Sequence, residues 1–257
     1  NLLTGAAQYD GSLRLFDGDT GVYQMAKLGV FSESVVVPEQ ACFVMADKVP
    51  MDVGALIGCC VTTGVGAVIN HPSARPGMTV AVFGCGGVGL NVIQGAKLMN
   101  ASRIIAVDIY DHKLEFSYKF GATDVINSRQ TDPVEAIKEL TGSGVDMAFD
   151  SFGSASTTNA SVLALRKKGI AVMIGLAPVG DTAPINMVDL LRNQKTLIGS
   201  YYGSASPHES FKTIQAFYLK GELNVESLIT RRYKLDQINE GFDALDQGED
   251  GRGVIVY

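Results

Sequence analysis

Four cysteines, three histidines, no run of basic residues and no long unbroken apolar segment narrow what this 257-residue sequence can be. Cys42, Cys59, Cys60 and Cys85 form neither a Cys-x-x-Cys knuckle nor a spaced disulfide framework. Cys59 and Cys60 are adjacent and cannot bridge each other without strain, so the thiols read as reduced. Lysine and arginine number 21 against 27 aspartates and glutamates, a net charge of -6. That balance excludes broad contact with a nucleic-acid backbone. The longest uncharged stretch, residues 53–69, holds four glycines and two threonines between Asp52 and Asn70. A membrane span needs about 20 mostly apolar residues, so this stretch reads as buried in protein and no membrane partner is expected. No charged-then-apolar leader opens the chain, and the expectation is a cytoplasmic protein. The first residue is Asn1, compatible with a processed or cut chain. Repeats, low-complexity tracts and flexible linkers are also missing.

What the sequence does have is a period. From Thr79 onward, apolar strand-like runs alternate with helical stretches, the pattern of a parallel sheet covered on both faces. Strands are predicted over 79–83, 103–107, 124–126, 145–149, 169–174 and 196–201. Helices are predicted over 88–99, 113–120, 133–140, 155–165 and 187–192. Asp132, Pro133 and Glu135 mark one helix start, with a capping side chain and proline in the first turn. Six strands with crossover helices make two mononucleotide-binding halves of a doubly wound α/β fold. Residues 1–58 differ, with strand-like pieces at 33–37 and 42–46 and no clear helical period. After residue 202 come helical stretches around 208–219 and 235–245 and a strand-like 253–257. The two ends read as a second domain, giving boundaries at 1–58, 59–201 and 202–257.

The strongest motif is Val80-Ala-Val-Phe-Gly84-Cys85-Gly86-Gly87-Val88-Gly89, a buried strand running into Gly-x-Gly-x-x-Gly and then a helix. Gly84 permits a tight turn, Gly86 lets backbone approach a pyrophosphate, and Gly89 lets helix and strand pack closely. The helix start beyond offers unpaired N–H groups to phosphate. Asp108 ends the next strand, 108 − 89 = 19 residues after the last glycine. There a carboxylate accepts from the adenosine ribose hydroxyls and repels a 2′-phosphate, which points to NAD(H) over NADP(H). This is the fingerprint of a Rossmann domain.

Several segments occur together in one order: Gly58-Cys59-Cys60-Val-Thr-Thr63-Gly64-Val-Gly66, the glycine fingerprint, Arg103-Ile-Ile-Ala-Val-Asp108, Phe120-Gly-Ala-Thr-Asp and Ile238-Asn-Glu-Gly-Phe. Together they resemble the zinc-dependent medium-chain alcohol dehydrogenases of the long zinc-containing class, over nearly the whole chain. The resemblance implies a Rossmann NAD-binding domain beside the incomplete remainder of a β-rich GroES-like catalytic domain. It assigns Cys59 as the third protein ligand of a catalytic zinc and Thr63 to the nicotinamide ring. Gly87 and Val88 follow the pyrophosphate, Lys113 the adenosine ribose, and Arg252 pairs with the pyrophosphate. Ile174, Gly175 and Leu176, with Tyr201 and Tyr202, fall on the family's nicotinamide cradle. A homodimer or homotetramer is likewise implied, with 196–201 as the joining strand.

The resemblance stops at the metal. The family completes its zinc site with an N-terminal cysteine and a histidine beside a glutamate, and it often adds a four-cysteine structural zinc lobe. Here only Cys59 matches. His71, His112 and His208 read as surface or capping residues, and one thiolate is not a tetrahedral zinc site. Two readings stay open: a fragment of a longer enzyme lacking its N-terminal portion, or a truncated NAD(H)-binding protein without redox chemistry. The expected function is an NAD-dependent alcohol dehydrogenase acting on a small alcohol, aldehyde or ketone, with zinc held only alongside the missing ligands. The 257 residues alone are expected to be inactive. A thiol-dependent formaldehyde dehydrogenase of the same family is the alternative.

Overall fold

The computed structural model describes residues 10–24, 27–248 and 251–257. The chain separates into two compact units, Met45–Ile229 and a smaller one made of residues up to Val44 together with Thr230–Tyr257.

In the smaller unit, β1 (Leu15–Asp17) and β2 (Thr20–Val22) form an antiparallel hairpin with Leu15 opposite Val22 and Asp17 opposite Thr20. Gly18, at φ +57°, and Asp19 close its two-residue loop. The strand-like pieces at 33–37 and 42–46 are not strands: both are irregular, around a short 3₁₀ turn at Glu39–Ala41. Val36 and Val44 are 90% and 91% exposed. Alternating apolar residues make a strand only where a neighbour takes their backbone hydrogen bonds, and Pro38 between them has no N–H to give.

The larger unit opens with a continuous helical segment. It comprises α1 (Met51–Leu56), a π-helical turn (Ile57–Val61) and α2 (Thr62–Ile69). This helix corrects the expectation that residues 1–58 lack helical character. Over Met51–Ile69 it is long and apolar enough to cross a membrane, but 61% of its most apolar window is buried inside the protein. Gly64 brings it close to the next helix, where an added Cβ would lie 2.4 Å from the Val88 carbonyl oxygen.

Six parallel strands follow, with helices between them. They are β3 (Thr79–Phe83), α3 (Gly87–Leu98), β4 (Arg103–Asp108), α4 (Asp111–Ser117), β5 (Asp124–Asn127), α5 (Pro133–Thr141), β6 (Val145–Asp150), α6 (Ala155–Leu163), β7 (Leu165–Met173), α7 (Met187–Arg192) and β8 (Thr196–Gly199). The spatial order β5-β4-β3-β6-β7-β8 is that of two mononucleotide-binding halves meeting between β3 and β6. Val80, Ala81, Val82 and Phe83 are all buried, because both faces of a central parallel strand are covered. α5 starts as expected, with Asp132 accepting from Val134 and Glu135 N–H.

α8 (Pro207–Leu219) belongs to this unit as well, where Gln215 accepts from the Ala46 N–H at 2.7 Å. Along the chain the compact units divide at Val44/Met45 and Ile229/Thr230, and the expected boundaries are 58/59 and 201/202. The 51–69 helix packs against α3 and α8 packs against the 51–69 helix, which places both in the larger unit. The smaller unit closes with β9 (Ile229–Tyr233), α9 (Ile238–Asp246) and β10 (Arg252–Ile255), the two strands forming a second two-stranded sheet.

Candidate dinucleotide-binding site

β3 ends at Phe83 and α3 begins at Gly87, so Gly84, Cys85 and Gly86 form the turn between them. Gly84 sits at φ +93°, a conformation that side chains disfavour. A Cβ on Gly89 would lie 1.8 Å from the Gly84 carbonyl oxygen, so helix and turn are in direct contact there. Gly86 is the opposite case. Its backbone is extended and exposed, and an added Cβ meets nothing within 4 Å. That space adjoins the start of a 12-residue helix with no side-chain cap, whose first N–H groups are left for an anion. The arrangement is a cradle that a Cβ would fill, and it fits a pyrophosphate.

Asp108 is tied to this turn. Its Oδ2 accepts from the Cys85 N–H at 2.7 Å, and its Oδ1 accepts from Ile109 and Tyr110 N–H at 2.7 and 3.1 Å. A carboxylate has about four acceptor positions, so capacity remains for a ribose hydroxyl. Cys85, between the glycines, is buried, and burial together with the Asp108 charge pushes its thiol far above the ordinary range. Cys85 is thus an inert part of the turn. On the β6 side, the Ser151 hydroxyl lies 2.9 and 2.7 Å from the Phe83 and Gly84 carbonyl oxygens. Fully buried Asp150 accepts from Phe152 and Gly153 N–H and from the Thr158 hydroxyl.

Ile174, Gly175 and Leu176 directly follow β7, and Tyr201 and Tyr202 follow β8, which puts both segments at the same carboxyl edge as the glycines and Asp108. β8 stops at Gly199 rather than Tyr201 because the chain turns through three left-handed residues, Tyr202, Gly203 and Ser204. This loop meets the helix that carries Cys59. The Tyr202 phenol donates to the Gly58 carbonyl, and the Thr62 hydroxyl donates to the Ile57 carbonyl at 2.7 Å. Both carbonyls lie in the π-helical turn, a local irregularity that often marks functional sites. Burial, and then the neighbouring Cys59 and Tyr201, push the Tyr202 phenol above its ordinary range. Cys59 is exposed on this turn and Thr63 is half-buried in the first turn of α2. Lys113 lies in α4, whereas Arg252 opens β10 in the smaller unit.

Zinc is a different matter. Among the described residues, no three of His, Cys, Asp or Glu gather into a group that could hold a metal ion. Cys59 alone does not fit a zinc ion. Sequence reasoning missed Asp150 and Ser151, which lie just past a predicted strand end and could have been flagged by position.

A doubly wound parallel sheet with a glycine turn at its switch point and a carboxylate ending the next strand defines a nucleotide-binding α/β protein. Comparison with known proteins narrows this. The family model described as zinc-binding dehydrogenase matches residues 87–219, just over half of the chain. S-(hydroxymethyl)glutathione dehydrogenase of Saccharomyces cerevisiae is 36% identical over 256 residues, covering 96% of this chain and 65% of that protein. The crystal structure of benzyl alcohol dehydrogenase from Acinetobacter calcoaceticus superposes with a TM-score of 0.79 at 36% identity, over 82% of this chain and 58% of that one. A zinc-binding dehydrogenase from Sinorhizobium meliloti 1021, solved bound to NADP, gives a TM-score of 0.76 at 26% identity over 86% of this chain and 63% of that one. The chain belongs to the zinc-binding alcohol dehydrogenase family and spans about two thirds or less of the length of these relatives.

Proposed function

We propose that this chain binds NAD(H) and serves an oxidoreductase that interconverts an alcohol and an aldehyde or ketone by hydride transfer. One observation carries the reading: the open space over Gly86, between the Gly84 turn and the uncapped start of α3, with Asp108 bonded to the same turn. The helix N–H groups would hold the pyrophosphate, and Asp108 and Lys113 the adenosine ribose. Val88 and Gly87 would follow the pyrophosphate, and Thr63, the 174–176 segment and the 201–202 loop would orient the nicotinamide. A bound nicotinamide supplies the hydride acceptor or donor; the roles of the protein residues are binding and orientation.

Preference for NAD(H) rests on Asp108, whose negative charge disfavours a 2′-phosphate. With Cys59 alone matching the family's zinc ligands and no group of three such donors among the described residues, we infer that these 257 residues bind the dinucleotide without completing alcohol oxidation by themselves. Two substrate readings have equal support, since a glutathione-adduct dehydrogenase and a benzyl alcohol dehydrogenase are each 36% identical to the chain. β8 is an edge strand of the six-stranded sheet, which supports pairing with a second copy. The test is titration of the chain with NADH and NADPH, repeated on Asp108→Ala with its melting temperature as a folding control. The expected result is weaker NADH binding in the variant and a smaller difference between the two dinucleotides. Unchanged affinity for both would remove Asp108 from the site.

A further inference from the structure

The edge of the sheet opposite the glycine turn carries a feature that dinucleotide binding does not use. There β6, β7 and β8 begin, and α5, α6 and α7 end a few residues before them. Among these ends lies a groove of about 570 Å³, lined by Lys138, Ser143, Arg166, Lys167 and Lys195, with Asp189 the one carboxylate in its wall. The volume is that of a small-molecule site. Four cations facing one carboxylate also reverse, locally, the sign of a chain whose net charge is -6.

An irregularity in β7 puts cations there. Leu165 pairs with Val145, yet Ile170 pairs with Met147, so β7 takes five steps where β6 takes two. The surplus, Arg166-Lys167-Lys168-Gly169, bulges from the ladder, and a bulge re-aims side chains. Lys168 holds φ at +62°, a region that disfavours side chains, and its N–H donates to the Asn193 carbonyl at 2.8 Å. Part of the charge serves the fold, since helix carboxyl ends attract cations. The Lys195 ammonium, on a side chain only 5% exposed, donates to the Val162 carbonyl at 3.0 Å and to Asp189 at 2.9 Å. Arg166 Nε donates to Asp146 at 3.0 Å. Lys195 foremost, and the Lys138 charge from α5, hold the Asp189 carboxyl below its ordinary range against burial. Donor capacity is left over. An ammonium has three N–H groups, and Lys195 uses two of them. Lys138 is paired only with Glu135, at 3.2 Å and with both side chains open to solvent, a contact worth little in water. Among the described residues, exposed Lys167 forms no ion pair and the Ser143 hydroxyl no hydrogen bond.

We propose that this groove binds a small organic phosphate, at the sheet edge opposite the dinucleotide site, through Lys138, Lys167, Lys195 and Ser143. A phosphate group carries about -1.5 to -2 charges near pH 7 and presents three acceptor oxygens. Here its donors converge from three sides: Lys138 and Ser143 at the end of α5, Lys167 on the bulge, and Lys195 ahead of β8. Arg166, fastened to Asp146, adds positive charge to the wall. The cations line a concavity rather than a flat face, which suits a small ligand over an acidic protein surface. The site stands independently of the dinucleotide reading.

The experiment is isothermal titration of the whole chain with inorganic tripolyphosphate, at an ionic strength fixed by sodium chloride, and separately with NADH. It is repeated on the double variant Lys138→Gln, Lys167→Gln and on Lys138→Arg, Lys167→Arg, each with its melting temperature as a folding control. The expected result for the glutamine pair is a tripolyphosphate Kd raised about tenfold or more, the scale of one charge-assisted hydrogen bond, with the NADH Kd unchanged within about twofold. The arginine pair keeps the charge and should keep tripolyphosphate binding. A tripolyphosphate Kd indifferent to the glutamine pair puts the anion elsewhere, the glycine turn included, and overturns the site. An equal loss of NADH affinity overturns it too, as does a wild-type chain that binds no tripolyphosphate.

Discussion

Alanine at Gly86 and alanine at Gly89 probe two kinds of space within one turn. At Gly86 the backbone is extended, at φ -76° and ψ -174°, and an added Cβ meets no atom within 4 Å. The folded state accepts the methyl, and the unfolded chain loses freedom, so stability rises by about 0.4–1 kcal/mol. The same methyl occupies the place where a pyrophosphate oxygen would approach the helix N–H groups. Losing one charge-assisted hydrogen bond costs about 1.5–3 kcal/mol, an affinity loss of roughly tenfold to a hundredfold for NADH. At Gly89 the Cβ would stand 1.8 Å from the Gly84 carbonyl oxygen, where a carbon–oxygen contact needs about 3.3 Å, so the helix start must shift by about 1.5 Å. Overpacking against backbone of this kind costs about 3 kcal/mol. Urea unfolding followed by circular dichroism reads stability, and nicotinamide fluorescence reads binding in a chain without tryptophan. Gly86→Ala should gain a little stability and lose affinity, whereas Gly89→Ala should lose both. Wild-type NADH affinity in Gly86→Ala would refute the assignment of that space to a ligand.

Three further outcomes follow from the contacts. Tyr202→Phe removes the phenol that donates to the Gly58 carbonyl and should lower unfolding free energy by about 1 kcal/mol, read from urea midpoints. Asp146 accepts from the Thr79 N–H at 2.8 Å and from Arg166 Nε at 3.0 Å. Burial alone would raise its pKa, but the Thr79 N–H and Arg166 outweigh burial and hold the carboxyl below its ordinary range. A folded-state pKa below the unfolded one gives stability that is present above the unfolded value and lost as pH falls through the folded one. Asp146→Asn should therefore be less stable at neutral pH by about 1 kcal/mol, because solvent screens its partly exposed arginine partners, with a shallower decline on acidification, measured as melting temperature against pH. Finally, Cys42 and Cys59 are exposed while Cys60 and Cys85 are buried, so a thiol reagent should modify two cysteines quickly in the native chain and all four after denaturation. Rapid native modification of Cys85 would contradict its burial in the glycine turn.

The sheet was legible because burial on both faces leaves a mark in the chain itself. β3 and β4 read as continuous apolar runs stopped by Gly84 and Asp108, and the structure begins each at its expected residue. The pieces at 33–37 and 42–46 have the same residue types but, among the described residues, no neighbouring strand to complete them, and composition carries no information about a partner. The helix over Met51–Ile69 was hidden for the reverse reason: its glycines weaken helical propensity, yet Gly64 is what lets α2 reach α3.

The same distinction separates the parts of the candidate site. A glycine turn binds through its own backbone, so the residues that make it are consecutive and their spacing is a signal. Side chains that converge from separate elements leave none. Tyr202 reaches the Gly58 carbonyl across a sequence separation of 144 residues, and Arg129 meets the Tyr110 ring only because β4 and β5 are neighbours in the sheet. The glycine turn is therefore written locally in this chain, while the contact that holds the Cys59 turn is written in the strand order. Changing Gly86 should alter whether a dinucleotide binds, whereas changing Tyr202 should alter how firmly the Cys59 turn is held.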